Sequence, residues 1–416
     1  MKALVYLAPR HMEMQDLDPP DVGPDDVAIR VTYSGICGSE LSGYLGMNSL
    51  RKPPLVFGHE LSGHIAAIGP RAAEAGGLTV GTRVTANPLV SCGQCEFCVT
   101  GRQQLCEKRL LLGASLPGSN AEYVNVSAAQ VLALPEGMDL RDAAMTEPAA
   151  CAVHAVELSG AGPGASALVV GAGPIGLFLL QVLGLHGVAQ RYVSDRNPDR
   201  LGMAVAMGCS AVPAGEPQAA EAVRQATGGR GVDLAFDAVG SAQTRRTCLA
   251  STVSGGQVLA VGLHTDLTEL PLNTVVRSEL SIRGVFAYPV SSFRTALGWL
   301  AGQRIGLRDG VVVTPLPDGG PWYQRLIDGD AAVKVLLTPD PEIVSNHGQT
   351  YLAAADGYES MEETDHLLRS PANAARLMAA ADEMRRGRTL LTKVSPAARR
   401  AGGMLSPSRN LGQRST

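Results

Sequence analysis

The chain has 416 residues, 45% of them hydrophobic and 18% charged, with a formal net charge of −4. That length exceeds one ordinary domain and predicts two or three, and the composition is that of a globular protein with a well-filled core. A small negative net charge gives no electrostatic reason to bind nucleic acid or an anionic membrane surface.

The opening run Met1-Lys2-Ala3-Leu4-Val5-Tyr6 reads as a first strand. It lacks the long apolar core of a signal peptide, so a cytoplasmic protein is expected. Short strand-like runs follow at 26–31, 63–69 and 81–84, and with their turn signals they predict a small β-rich domain over residues 1–154. From 155 to 285 strands alternate with helical stretches. Strands at 167–170, 192–194, 232–236 and 256–261 predict a doubly wound parallel sheet. The stretch Leu158–Gln190 carries no Asp, Glu, Lys or Arg and is long enough to span a membrane. Gly171, Gly173 and Pro174 divide it into strand, turn and helix, so burial in an α/β domain explains it better.

A mixed segment from 286 ends in a strand-like run at 334–337, and Pro339 and Pro341 mark a boundary near 338. Residues 340–392 carry helix signals: a capping box at Ser360-x-x-Glu363, and Ser370-Pro371 as cap and first helical residue. The last 24 residues, 393–416, contain no acid and many Ser, Pro, Gly and Arg, a composition that predicts disorder.

Two sets of metal-binding residue types stand in the first third. Cys92-x2-Cys95-x2-Cys98-x7-Cys106 is a compact all-thiolate set, suited to a closed structural zinc site. With no export signal, such spacing favours thiolate ligation over disulfides. The second set is dispersed: Cys37, then Gly58-His59-Glu60, then Glu147-Pro148. Thiolate, imidazole and carboxylate can hold a catalytic zinc and leave one position open. Glu147 is the expected third protein ligand, with Glu60 as the alternative and Cys151 as a substitute. His11, His64, His154, His186, His264, His347 and His366 have no comparable partners.

After the strand at 167–170, Gly171-Ala172-Gly173-Pro174-Ile175-Gly176 forms a G-x-G-x-x-G loop opening a helix. Its glycines allow close backbone approach to a pyrophosphate at the helix N-terminus. Asp195 follows 19 residues after Gly176, where an acid binds ribose hydroxyls and disfavours a 2′-phosphate. NAD is therefore expected over NADP, with the adjacent Arg196 as the opposing signal.

These residues resemble the zinc-containing medium-chain alcohol dehydrogenase family over about residues 1–338. The nearest branch is that of polyol, sorbitol, threonine and butanediol dehydrogenases, because Glu147-Pro148 stands where the alcohol dehydrogenases proper place a cysteine ligand. The resemblance implies a GroES-like catalytic domain (1–154, completed by 286–338) interrupted by a Rossmann domain (155–285). It also implies one catalytic and one structural zinc, a bound NAD, and a homodimer or homotetramer. Phe236-Asp237-Ala238-Val239-Gly240 and Val261-Gly262-Leu263 match the family's later cofactor-contacting stretches. Two positions depart from the pattern. Ser42 stands where many members have a relay histidine, and Glu40 where Asp is commoner.

On this resemblance the expected reaction is reversible oxidation of a secondary alcohol or polyol to the ketone. Zinc would lower the pKa of the alcohol, Ser39 would take its proton onward, and hydride would pass to the nicotinamide. The substrate itself is not specified by the residues expected around the pocket: Tyr44, Met47, Phe57, Leu112 and Phe286. A zinc-free quinone reductase on the same fold is the rival enzyme reading. In the tail, residues 358–364 and 367–374, with 344–348 before them, resemble the back half of prevent-host-death/YefM antitoxins. That likeness implies a toxin-binding or dimerising helix, and an interaction protein with a dehydrogenase scaffold as the rival from another class.

Overall fold

The structure is a computed structural model, and it describes residues 1–346. The capping box at 360–363, Ser370-Pro371, the antitoxin-like stretches 358–364 and 367–374 and the tail from 393 lie outside the described residues.

The first sheet is antiparallel in its centre, where Asp26–Gly35 pairs with Glu60–Ile68 on one side and Tyr123–Ser127 over part of its length. Arg83–Ala86 and Val131–Ala133 extend it. Alternate residues of these strands, Val27, Ile29, Val31, Leu61, Ile65, Val84, Val124 and Val126, form one buried cluster. A strand turns successive side chains to opposite faces, so the every-second-residue pattern becomes a one-sided core. A smaller sheet sets Lys2–Ala8 between His11–Asp16 and Leu55–Val56.

The second main sheet is wholly parallel. Its six strands run in space as Ser210–Val212, Gln190–Ser194, Ser166–Val170, Val232–Asp237, Thr252–Ala260 and Ser281–Gly284. Numbered along the chain, that order is 3-2-1-4-5-6, with the reversal between Ser166–Val170 and Val232–Asp237. Ala167 and Val169 enter one buried cluster while Leu168 and Val170 enter another, so the strand is covered on both faces. The apolar stretch 158–190 is thus a buried strand followed by the 12-residue helix Pro174–Leu185. No described helix is long and apolar enough to cross a membrane.

The helix Thr146–Ser159 runs unbroken through residue 154 and packs on Pro174–Leu185 and on Val290–Ala301. After Val290–Ala301 the chain returns to the first sheet. Lys334–Thr338 pairs parallel with Val311–Pro315 and antiparallel with Asp26–Gly35, Leu336 opposite Gly35.

Past residue 338 one expectation is corrected. Residues from 344 resemble a strand and turn, but Pro341–Asn346 is helical. Asp340 accepts the Glu342 N–H at 3.0 Å, and Pro341 opens the helix, a local start signal that prevails over the likeness. Ile343 and Val344 pack against the same core cluster as the parallel sheet.

Candidate active site

Among the described residues two groups of metal-ligating atoms converge, each with all its atoms within 4.8 Å of one another. The first is Cys92, Cys95, Cys98 and Cys106. Its sulfurs stand 3.9 Å apart for Cys92 and Cys98 and 3.5 Å apart for Cys95 and Cys98. Tetrahedral zinc with Zn–S near 2.3 Å requires sulfurs about 3.8 Å apart, so the set fits that ion. Positive φ values at Gly93 (73°) and Gly101 (77°) let the loop wrap. Backbone N–H groups of Gln94 and Cys95 draw the Cys92 thiol down to about 6, toward the thiolate a metal needs.

The second group is Cys37, His59 and Glu60. It gathers Glu60 rather than the expected Glu147. Sheet pairing explains this directly, since Gly35 lies opposite Glu60 and brings Cys37, two residues on, beside the His59-Glu60 pair. A side chain at Gly35 would push the Glu60 carboxylate out of place, because a Cβ there would stand 2.2 Å from Glu60 Oε2. Thiolate, imidazole and carboxylate in one buried cluster suit zinc.

Three buried side chains, Glu40, Tyr323 and Lys334, hold this set. His59 Nδ1 is 2.7 Å from Glu40 Oε1, which leaves Nε2 for the metal. Glu40, completely buried, also accepts the Gly58 N–H at 3.0 Å and the Tyr323 hydroxyl at 2.6 Å. Burial would raise its pKa, but the charge of His59, its hydrogen bonds and the charge of Arg51 bring it down to about 2. Lys334, buried at the start of the returning strand, forms an ion pair with Glu60 and donates to Ile36 O at 2.9 Å. Burial works against its charge, yet Glu60 and Cys37 raise its pKa above the usual lysine value.

Glu147 lies buried near this set, at the start of the helix Thr146–Ser159. Its Oε1 accepts the Tyr288 hydroxyl at 3.1 Å, with Cys151 Sγ 3.9 Å away. Burial, with Glu60 adding to it, pushes the Glu147 carboxyl up to about 7 although His59 opposes the shift. Burial also raises the Cys151 thiol well above its ordinary value.

Ser39 Oγ donates to Cys37 Sγ at 3.4 Å. Ser42 gives its hydroxyl hydrogen to Ser39 O at 2.9 Å, so it does not touch the Ser39 hydroxyl. Of the pocket residues expected, Tyr44 and Phe57 belong to a buried aromatic cluster with Tyr6 and Tyr323. Met47 is exposed, Leu112 is buried, and Phe286 is partly exposed beneath the Arg109 guanidinium.

At the switch point of the parallel sheet, Gly173 caps the helix Pro174–Leu185, whose first turn carries Ile175 and Gly176. A Cβ at Gly176 would stand 1.8 Å from Gly171 O, so helix and strand meet backbone to backbone. Asp195 follows the neighbouring strand, and its carboxylate accepts Ala172 N–H at 2.6 Å and Asn197 N–H at 2.8 Å. Arg196 is exposed. Val239 N–H donates to the buried Asp237, whose backbone oxygen receives the N–H groups of Val261 and Gly262. The residues expected at the cofactor therefore sit along one edge of this sheet.

Lys334 and Tyr288 were not singled out in sequence, and Glu40 only as a departure. A lone lysine opening the apolar run Lys334-Val335-Leu336-Leu337 was the available signal; Tyr288 offered none.

The model of the alcohol dehydrogenase GroES-like domain matches residues 23–136, and that of the zinc-binding dehydrogenase matches residues 174–302. Sorbitol dehydrogenase of Bacillus subtilis is 33% identical over 296 residues, 69% of this chain and 82% of its own length. A zinc-binding dehydrogenase of Sinorhizobium meliloti bound to NADP superposes with a TM-score of 0.74 at 28% identity, over 81% of this chain and 99% of that one. An alcohol dehydrogenase of Escherichia coli complexed with NADH gives the same TM-score, identity and coverage. The chain belongs to the zinc-containing medium-chain dehydrogenase family. It is an alcohol or polyol oxidoreductase of that family, which pairs zinc with a nicotinamide cofactor.

Proposed function

We propose that this enzyme interconverts a secondary alcohol of a polyol and its ketone with NAD, and that Cys37, His59 and Glu60 hold the catalytic zinc. The convergence of those three donors within 4.8 Å carries the reading. Glu147 is the alternative third ligand. The chemistry supplied by zinc at such a set is polarisation of an alcohol oxygen, and that supplied by the nicotinamide is hydride acceptance. The protein's own part is positioning. Glu40 orients His59, Lys334 holds Glu60, Tyr288 holds Glu147, and Ser39 is placed to accept a hydrogen bond from the alcohol. The four thiols of 92–106 hold a second, structural zinc.

Asp195 at the glycine loop supports NAD over NADP, because a 2′-phosphate there would meet a carboxylate. A homo-oligomer is supported by the edge strand Ser281–Gly284, all four residues of which are exposed. Nearby in sequence Leu267, Leu272 and Val276 are 85%, 64% and 74% exposed, an apolar surface that a second copy would cover. Residues 1–154 with 286–338 form the catalytic domain on this reading and 155–285 the cofactor domain. The antitoxin-like likeness beyond 340 plays no part in the reaction. Because Pro341–Asn346 packs on the core, the chain should be cut after 346, and activity should survive.

A polyol panel followed by NADH absorbance, with NADP in parallel and zinc counted per chain, tests the reading. Polyol-dependent NADH formation with two zinc ions supports it; a zinc-free, polyol-inert protein overturns it.

A further inference from the structure

Arg51 is a buried cation whose one task so far is to help hold the Glu40 carboxyl low through its charge. Its residue is 4% exposed, and among the described residues no carboxylate lies within ion-pair distance of it. Neutral groups satisfy it instead. Nε donates to Gly113 O at 3.1 Å, Nη1 to Ser39 O at 3.2 Å and Nη2 to Ser39 Oγ at 3.3 Å. The guanidinium lies 5.8 Å from the centroid of Phe57. The helix Gly38–Tyr44 is cut away to admit its stem: a Cβ at Gly43 would stand 2.5 Å from Arg51 Cδ and 3.2 Å from its Cβ. A buried charge with a glycine cleared for it is costly to keep as mere filling.

Its contacts set the direction of one hydroxyl. A guanidinium has donors only, so Ser39 Oγ must be the acceptor toward Arg51. The Ser39 hydrogen then points to the other side, where Cys37 Sγ is 3.4 Å away. Ser42 leaves this geometry undisturbed, its own hydrogen being committed to Ser39 O. We propose that Arg51 is a positioning residue for the alcohol oxygen: it fixes the orientation of the Ser39 hydroxyl and places a permanent positive charge behind it. The inference rests on the assignment of the Cys37 cluster and Ser39 as the alcohol site.

The test is a double-mutant cycle on the full-length enzyme. Arg51→Gln should lower kcat/KM for the alcohol by about 10- to 100-fold, the scale of a charged hydrogen bond lost. The fall should lie mainly in kcat, and Arg51→Lys should recover part of it. Gly43→Ala keeps the charge but displaces the stem, so it should reproduce most of the loss. NADH affinity by fluorescence and zinc content should stay at wild-type values in all three variants. In a Ser39→Ala background, Arg51→Gln and Gly43→Ala should each add less than about twofold, because coupled residues are not additive. Full multiplicative losses in that background, after a costly Ser39→Ala, overturn this inference alone. A Ser39→Ala enzyme with unchanged kcat/KM overturns both the inference and the role given to Ser39. Should Arg51→Gln fail to fold, Arg51→Lys and Gly43→Ala complete the same cycle.

Discussion

In the lobe at 92–106 four thiols come from one short stretch of chain that includes the helical turn Glu96–Val99, with positive-φ turns at Gly93 and Gly101. In the cleft, Cys37 precedes a short helix, His59 immediately precedes a strand that Glu60 opens, and Glu147 lies in the first turn of a helix 87 residues beyond Glu60. In the lobe, the Cys92 thiol is drawn down by backbone N–H groups of that same segment, while burial and the neighbouring cysteines push Cys95 up to about 11. The cleft relies on side chains imported from far along the chain: Lys334, Tyr323 and Tyr288. A metal site made for stability can be local, whereas one made for chemistry needs an open position, and separate walls leave it. The two sites should therefore fail differently when damaged.

The largest expected effect is on chemistry. Cys37→Ala or His59→Ala should abolish turnover, leave NADH binding near wild type, and leave one zinc per chain in the lobe by metal analysis. Loss of both ions would show that the two regions are not independent. Cys95→Ser should do the reverse: the lobe ion is lost and the melting temperature falls, while activity at low temperature persists. An unchanged melting temperature would deny the lobe a structural role.

In enzyme stripped of zinc, Lys334→Met leaves Glu60 buried and unpaired, so chemical denaturation should show a loss of about 3–5 kcal/mol. The double variant with Glu60→Gln should recover much of this. Glu40→Gln is milder, weakening zinc in the cleft by about 10- to 100-fold in chelator competition, with the lobe ion unaffected. The smallest effect concerns His154, buried beside Gln104 of the lobe at 3.5 Å, whose pKa burial lowers to about 4. The folded state keeps it neutral, so the unfolded chain gains the proton first as pH falls. Stability should then drop between about pH 6.5 and 4. His154→Gln should flatten that slope by about 2–4 °C in melting temperature. An unaltered slope would mean that this contact does not couple lobe to helix.

Much of this was readable from local pattern. The glycine loop, the parallel strands and the four thiols each depend on neighbours within a few residues, so spacing alone exposes them. Pro341–Asn346 was missed because Pro341 was read with Pro339 as a boundary rather than, with Asp340 before it, as the start of a helix. The third carboxylate was harder. Glu60 and Glu147 are both carboxylates in sequence, and the Gly35–Glu60 register is what brings Glu60 beside Cys37 and His59.

What the amino-acid sequence determined by itself was the inventory: a thiolate lobe, a dinucleotide loop and a dispersed Cys/His/Glu set, each legible because residue type and short-range geometry define it. The tertiary structure alone decided which carboxylate joins Cys37 and His59, that Lys334 returns beneath Glu60, and that Arg51 rather than Ser42 meets the Ser39 hydroxyl. Those choices depend on strand register and on chain closure over hundreds of residues, where hydrogen-bond pairing and burial select partners that spacing cannot specify.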